Sequence, residues 1–246
     1  MVEQIIVLNF IGMIFEIIIL IFAATILSLI LEKYLIKRHK LTRLLLIIFI
    51  NYFIAILFSW ISKVFFVLDL PNLVVQDGSI VAYLYNIIAD FRLSEFFVTI
   101  AIFLSYILKV NVFEKGYNTI QKYIIIIYGI ISCIYVLIIY EYGNTLLDII
   151  AFLIVFIYMV MVYAPFLRRS IESYRGVEEK TYRQAFLSLA IMSISFMLIF
   201  LNFSIDRVYI FLGSLGFTVF YFLAWSFAII GIFGAYYGYI RPKSRE

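Results

Sequence analysis

The sequence predicts an all-α fold, an integral membrane bundle of about seven transmembrane helices with its N-terminus outside and its C-terminus in the cytoplasm. Three observations predict it. Of 246 residues, 66% are hydrophobic and 14% charged, where soluble domains run nearer half and a quarter. The apolar residues form long runs with no polar face to cover a core, an arrangement suited to lipid. The basic residues gather in alternate connections between those runs, which orients the chain.

Crossing about 30 Å of hydrocarbon takes about 20 helical residues. Segments at about 5–31, 44–68, 83–108, 122–140, 146–167, 185–205 and 209–239 meet that length. A spanning β-barrel needs short alternating strands, whereas runs such as Ile124-Ile125-Ile126-Ile127 do not alternate. The start, Met-Val-Glu-Gln, lacks the positive region of a secretory signal, so the first segment is expected to be a retained helix.

All 19 basic residues except Lys63, Arg92 and Arg207 fall on one side of these spans or in the tail. They comprise the group from Lys33 to Arg43; Lys109, Lys115 and Lys122; the group from Arg168 to Arg183; and Arg241, Lys243 and Arg245. The positive-inside rule puts these connections in the cytoplasm and the protein in the cell membrane as a multi-pass chain. The same distribution argues against nucleic acid as the partner of the net +4 charge, because no single exposed face collects it. The lipid bilayer is the expected partner. Tyrosines near the ends, among them Tyr34, Tyr83, Tyr123, Tyr140, Tyr163, Tyr209 and Tyr239, suit interfacial belts. Pro71, Pro165 and Pro242 lie outside or near the ends of spans, so continuous helices are expected.

Ionisable groups inside a bilayer cost about 2.5–3.5 kcal/mol each at the centre and need a reason to be there. The first segment presents Asn9, Gly12, Glu16 and Ala23 on one face; the second offers Asn51, Ala55, Ser59, Ser62 and Lys63. In the third, Arg92, Glu95 and Thr99 align at i, i+3 and i+7. Ser188, Ser195 and Asn202 repeat along the sixth. The candidate intramembrane polar site is therefore Glu16, Lys63, Arg92, Glu95 and Asn202, lining an outward-facing polar cavity between helices one, two, three, five and six. The expected ion pairs are Glu16 with Lys63, and Glu95 with Arg92 or Lys63. Asp90, Arg92, Asp148 and Lys63 lie close enough to helix ends to reach water instead. The last segment carries a small-residue seam through Ala224, Ala228, Gly231, Gly234, Ala235 and Gly238, suited to close helix packing within the bundle.

Enzyme chemistry finds no purchase, and no catalytic, cofactor or metal site is expected. Glu178-Glu179-Lys180-Thr181-Tyr182-Arg183 matches the Glu-Glu-x-x-x-Arg pattern of membrane-embedded CAAX-type proteases. That family also needs downstream histidines, and the lone His39 lies upstream. A lone histidine likewise argues against seven-helix zinc hydrolases. No lysine lies between Val208 and Ile240 to hold retinal, and no Pro-Gln motif suggests a seven-helix sugar transporter. Cys133 is the single cysteine and reads as a buried thiol.

The stretch Gly234-Ala-Tyr-Tyr-Gly-Tyr-Ile-Arg-Pro242 resembles the end of the seven-helix sensory input region of prokaryotic receptor kinases. The resemblance implies a stand-alone receptor-like or signalling membrane protein that senses a small ligand or ion. With no kinase domain after Glu246, it also implies a cytoplasmic effector protein acting in trans. Two other functions stand beside it: a small proton- or ion-coupled transporter using Glu16 and Glu95, and a structural subunit of a membrane complex joined through the last helix.

Overall fold

The computed structural model describes residues 2–68, 79–114, 116–139, 141 and 143–240. The expectations for Pro71, Lys115, Tyr140, Arg241, Pro242, Lys243 and Arg245 fall outside these described residues. Helix α1 (Val2–Lys37) turns at Arg38, a left-handed residue with φ 46°, into α2 (Lys40–Val67). The His39 side chain caps α2 by accepting from the Leu41 N–H. Helix α3 (Ile80–Ala89), capped by Ser79, is followed after Asp90 and Phe91 by α4 (Arg92–Phe113). Helix α5 (Thr119–Ile134) widens into a π turn over Tyr135–Ile139. Helices α6 (Thr145–Gly176) and α7 (Lys180–Phe211) follow, and α8 (Val219–Ala235) ends in a second π turn, Tyr236–Ile240.

Among the described residues seven helices are long and apolar enough to cross a membrane, and the protein is a multi-pass membrane protein. Its inside-out character is visible in α1, where Glu16 is 0% exposed and Ile21 61%. Lipid accepts the isoleucine, while the carboxylate requires partners that only the interior supplies. Around the bundle α1 packs on α2 and α8, α2 on α4, α4 on α6, α6 on α7, and α7 on α8. Helix α5 leans on α4 and α6 from outside, with Ile124, Ile127 and Ile131 exposed.

Three boundaries differ from those the hydropathy predicts, for one reason: hydropathy marks where apolar side chains stop, not where backbone hydrogen bonding stops. The expected loop 168–184 is mostly helix, because α6 runs on to Gly176 and α7 begins at Lys180. The expected start of the last helix, at 209, lies inside α7, and the turn comes at 212–218. Gly213 and Gly216 take φ of 98° and 80° there, conformations that a Cβ would oppose. Most consequentially, the continuous helix expected over 83–108 is interrupted. Phe91 takes φ 66°, and this left-handed residue re-aims the chain so that α4 starts afresh at Arg92.

Helix α8 lies against α7 along its small residues. A methyl at Gly231 would stand 2.5 Å from Phe196 Cε1, and one at Gly238 would stand 2.3 Å from Leu189 Cδ2. At Gly234 the obstacle is backbone, the Ser188 carbonyl oxygen at 2.9 Å. The seam thus faces a neighbouring helix of the same chain.

Candidate functional site

The end of the bundle that holds the α2 C-terminus and the α4 N-terminus collects charged side chains in two networks. In the first, Lys63 Nζ lies 2.7 Å from Glu16 Oε1. The same oxygen accepts from Ser59 Oγ at 2.9 Å and Tyr221 OH at 2.6 Å. Glu16, Ser59 and Lys63 are each 1% exposed or less, so the carboxylate is held by a cation and two hydroxyls where water does not compete. Three helices meet here: α1 supplies Glu16, α2 supplies Ser59 and Lys63 one turn apart, and α8 supplies Tyr221.

In the second network Arg92 Nη1 donates to Glu95 Oε2 at 2.6 Å, one turn along α4. Its Nη2 pairs with Asp148 of α6, and Asp148 Oδ2 lies 3.4 Å from Arg207 Nη1 of α7. Arg92 is 0% exposed and Glu95 2%, so breaking either interaction leaves a desolvated charge. Two further carboxylates flank the network. Asp90 accepts from the Gly143 N–H at 3.3 Å, and Asp206 accepts from the Thr218 N–H at 2.9 Å and its hydroxyl at 2.6 Å.

Phe91 stands between the networks. Lys63 Nζ lies 4.2 Å from its ring centroid and Arg207 Cζ 5.1 Å. The break in the helix is what brings this ring inward, between a cation of each network.

A cavity of about 70 Å³ opens beside Phe91, with Tyr52, Glu95, Phe203, Arg207 and Trp225 in its wall. It differs from the expected one. The wall is aromatic and aliphatic, with few polar atoms, and α8 contributes to it where α1 does not. Among the expected site residues Glu95 lines the cavity, while Glu16, Lys63 and Arg92 stand behind its wall. Asn202 belongs to neither network among the described contacts; its side-chain amide donates to the Leu198 carbonyl of its own helix. Gly231, Gly234 and Gly238 lie apart, on the α7 seam.

From the cavity wall a hydrogen-bonded chain runs toward the basic end. Tyr163 donates to Ser105 at 2.9 Å and Ser105 donates to the Ala101 carbonyl at 2.8 Å. The Tyr163 proton being committed, Tyr52 is the donor in its 2.8 Å contact with Tyr163. Nearer that end, Lys109 is 1% exposed and 3.0 Å from Glu114. The sequence groups Lys109 with loop cations, but α4 carries it inside the bundle.

Sequence reasoning passes over Tyr221, Phe91 and the pairing of Arg207. Tyr221 is one of 20 tyrosines, and nothing local sets it apart. Arg207 falls in an expected loop until α7 is seen to continue to Phe211. Among the described residues no group of three or more His, Cys, Asp or Glu side chains is arranged to hold a metal ion. Compared with protein-family models, curated proteins and solved structures, the chain matches none.

Proposed function

We propose that this is a receptor-like signalling protein of the cell membrane that senses a small molecule in the cavity beside Phe91. The reading places the N-terminus and the two networks on the outer side, and the basic connections in the cytoplasm, where an effector protein acts in trans. The observation that carries it is the position of the cavity. Its wall draws on α2, α4, α6, α7 and α8, and the ionic networks that tie those helices together lie directly behind it. A ligand seated there touches several helices at once, and it shifts the bundle to the extent that it prefers one arrangement over another. The likeness of 234–242 to the end of receptor-kinase input regions supports the same reading.

The test is the melting temperature of the purified protein across a panel of small molecules and ions, with site-directed labelling of cysteines placed at the basic end. A ligand that raises the melting temperature and changes labelling at the basic end supports sensing. Ligands that bind without altering labelling there, or no ligand in the panel, would remove the basis for it.

One observation favours a second reading, a small coupled transporter. The break at Asp90–Phe91 is a discontinuity of the kind that transporter sites use, and the chain Tyr52–Tyr163–Ser105 leads away from the cavity. Flux into proteoliposomes that vanishes in Glu95→Gln would select transport over sensing.

A further inference from the structure

We infer that the ligand of the cavity is a small protonated amine with an apolar body, its ammonium bound by Glu95 and its alkyl part held by the aromatic wall. The inference rests on the proposed reading that the cavity takes a small molecule, and it supplies the chemistry of that molecule.

Glu95 is 2% exposed and lines the cavity. Arg92 occupies its Oε2, while Oε1, equally buried, has no hydrogen-bond partner among the described residues. Buried carboxylate oxygens are ordinarily satisfied, so a donor belongs at this position, and the cavity is where one could enter. An ammonium offers three such donors and a charge of the right sign.

The surroundings select the sign further. Among the described residues the charged groups that line the cavity are Glu95 and Arg207, one of each sign; the networks beside it add Lys63 and Arg92 against Glu16, Asp90, Asp148 and Asp206. The carboxylates outnumber the cations, so a bound anion would deepen an existing excess and a bound cation would relieve it. Arg207, the cation in the wall, is already engaged by Asp148 and lies 5.1 Å and 5.2 Å from the rings of Phe91 and Phe152.

The wall selects an organic cation over an inorganic one. Phe203, Tyr221 and Trp225 present ring surface, which attracts an organic ammonium but cannot replace the hydration shell of a metal ion. Size sets the rest. A cavity of about 70 Å³ is about half the roughly 150 Å³ that accepts benzene, which leaves room for about three heavy atoms.

The experiment uses the whole chain in lipid nanodiscs at neutral pH and compares ethylamine, ethanol, acetate, sodium chloride and potassium chloride by thermal melting. Ethylamine is expected to raise Tm by about 5 °C or more at about a hundredfold excess over its Kd, with ethanol, acetate and the salts without effect. Glu95→Gln is expected to abolish the shift. That variant loosens Arg92 and could unfold, so the wild-type comparison of ligands equal in shape carries the test without it. An equal shift with ethanol, a shift with acetate or the salts alone, or a shift retained in a folded Glu95→Gln protein would overturn the amine assignment while leaving a ligand cavity in place. Silence here alongside a response to other members of the wider panel would overturn the amine alone; silence to every compound would overturn the sensing reading with it.

Discussion

The Lys63 ammonium lies 4.2 Å from the centroid of the Phe91 ring, a cation from α2 resting on an aromatic residue whose own backbone is left-handed. Phe91 ends one short helix and begins a long one, and Arg207 approaches the same ring. A single side chain therefore joins two buried ionic networks that share no salt bridge among the described residues. The position costs about 1–2 kcal/mol of backbone energy for a residue with a Cβ, and contacts with both cations offset it.

Phe91→Gly should release that backbone cost while losing a ring packed against the core. Aromatic-to-small replacements in cores cost about 3–5 kcal/mol, so the net expectation is destabilisation by about 2 kcal/mol. Thermal melting in detergent measures it; a stabilised Phe91→Gly protein would mean that the ring contributes nothing.

The Glu16–Lys63 pair should show strong coupling. Lys63→Met leaves a buried carboxylate with hydroxyl partners alone, an unbalanced charge costing about 3–5 kcal/mol. The double variant Glu16→Gln/Lys63→Met removes both charges and should regain most of that loss. A double-mutant cycle on melting temperatures tests the pair, and additive losses would contradict the geometry.

Burial, not the mere presence of an ion pair, should decide its worth. Asp148→Asn takes away a carboxylate shared by Arg92 and Arg207 and should lower the melting temperature by several degrees. Glu172→Gln breaks contacts to Arg168 and Arg169, whose side chains are 82% and 52% exposed, and should leave melting unchanged. Comparable losses in the two variants would refute the assignment.

The direction of the tyrosine chain predicts an asymmetry. Tyr163→Phe leaves the buried Tyr52 hydroxyl without its acceptor, which costs about 1–3 kcal/mol. Tyr52→Phe leaves the Tyr163–Ser105 bond in place and should cost less. Urea or thermal unfolding of the two variants ranks them; the reverse order would mean that the protons run the other way.

Two glycines separate close approach from helix propensity. Gly234→Ala drives a methyl toward the Ser188 carbonyl and the Met192 N–H, at 2.9 Å and 3.0 Å. Backbone cannot step aside as a side chain can, so a loss of about 1–3 kcal/mol is expected. Gly176→Ala meets nothing within 4 Å and should be neutral or mildly stabilising. Parallel melting curves of the two proteins are sufficient to check this.

Much of the architecture is local in origin and was legible as such. The number of long apolar helices follows from hydropathy summed over each run, and the depth of Glu16 from its place in one; the break that makes α3 a separate short helix does not. The inward face of α1 and the Arg92–Glu95 contact follow from helical spacing alone, since i and i+3 meet on any helix. Lys63 could be matched with Glu16 because few partners of opposite sign lie at comparable depth. Asn202 shows the limit of that reasoning: its amide is satisfied by its own helix, so a polar residue at helical spacing did not become part of a site.

The sequence by itself determined which stretches enter lipid, which connections carry the positive charge and which side chains must find partners inside. Only the tertiary structure decided that Tyr221 closes on Glu16, that Asp148 joins Arg92 to Arg207, and that the chain breaks at Phe91 to bring a ring between two cations. These depend on the relative depth and rotation of helices far apart in the chain. Hydropathy and periodicity describe one helix at a time, and packing alone relates one helix to another.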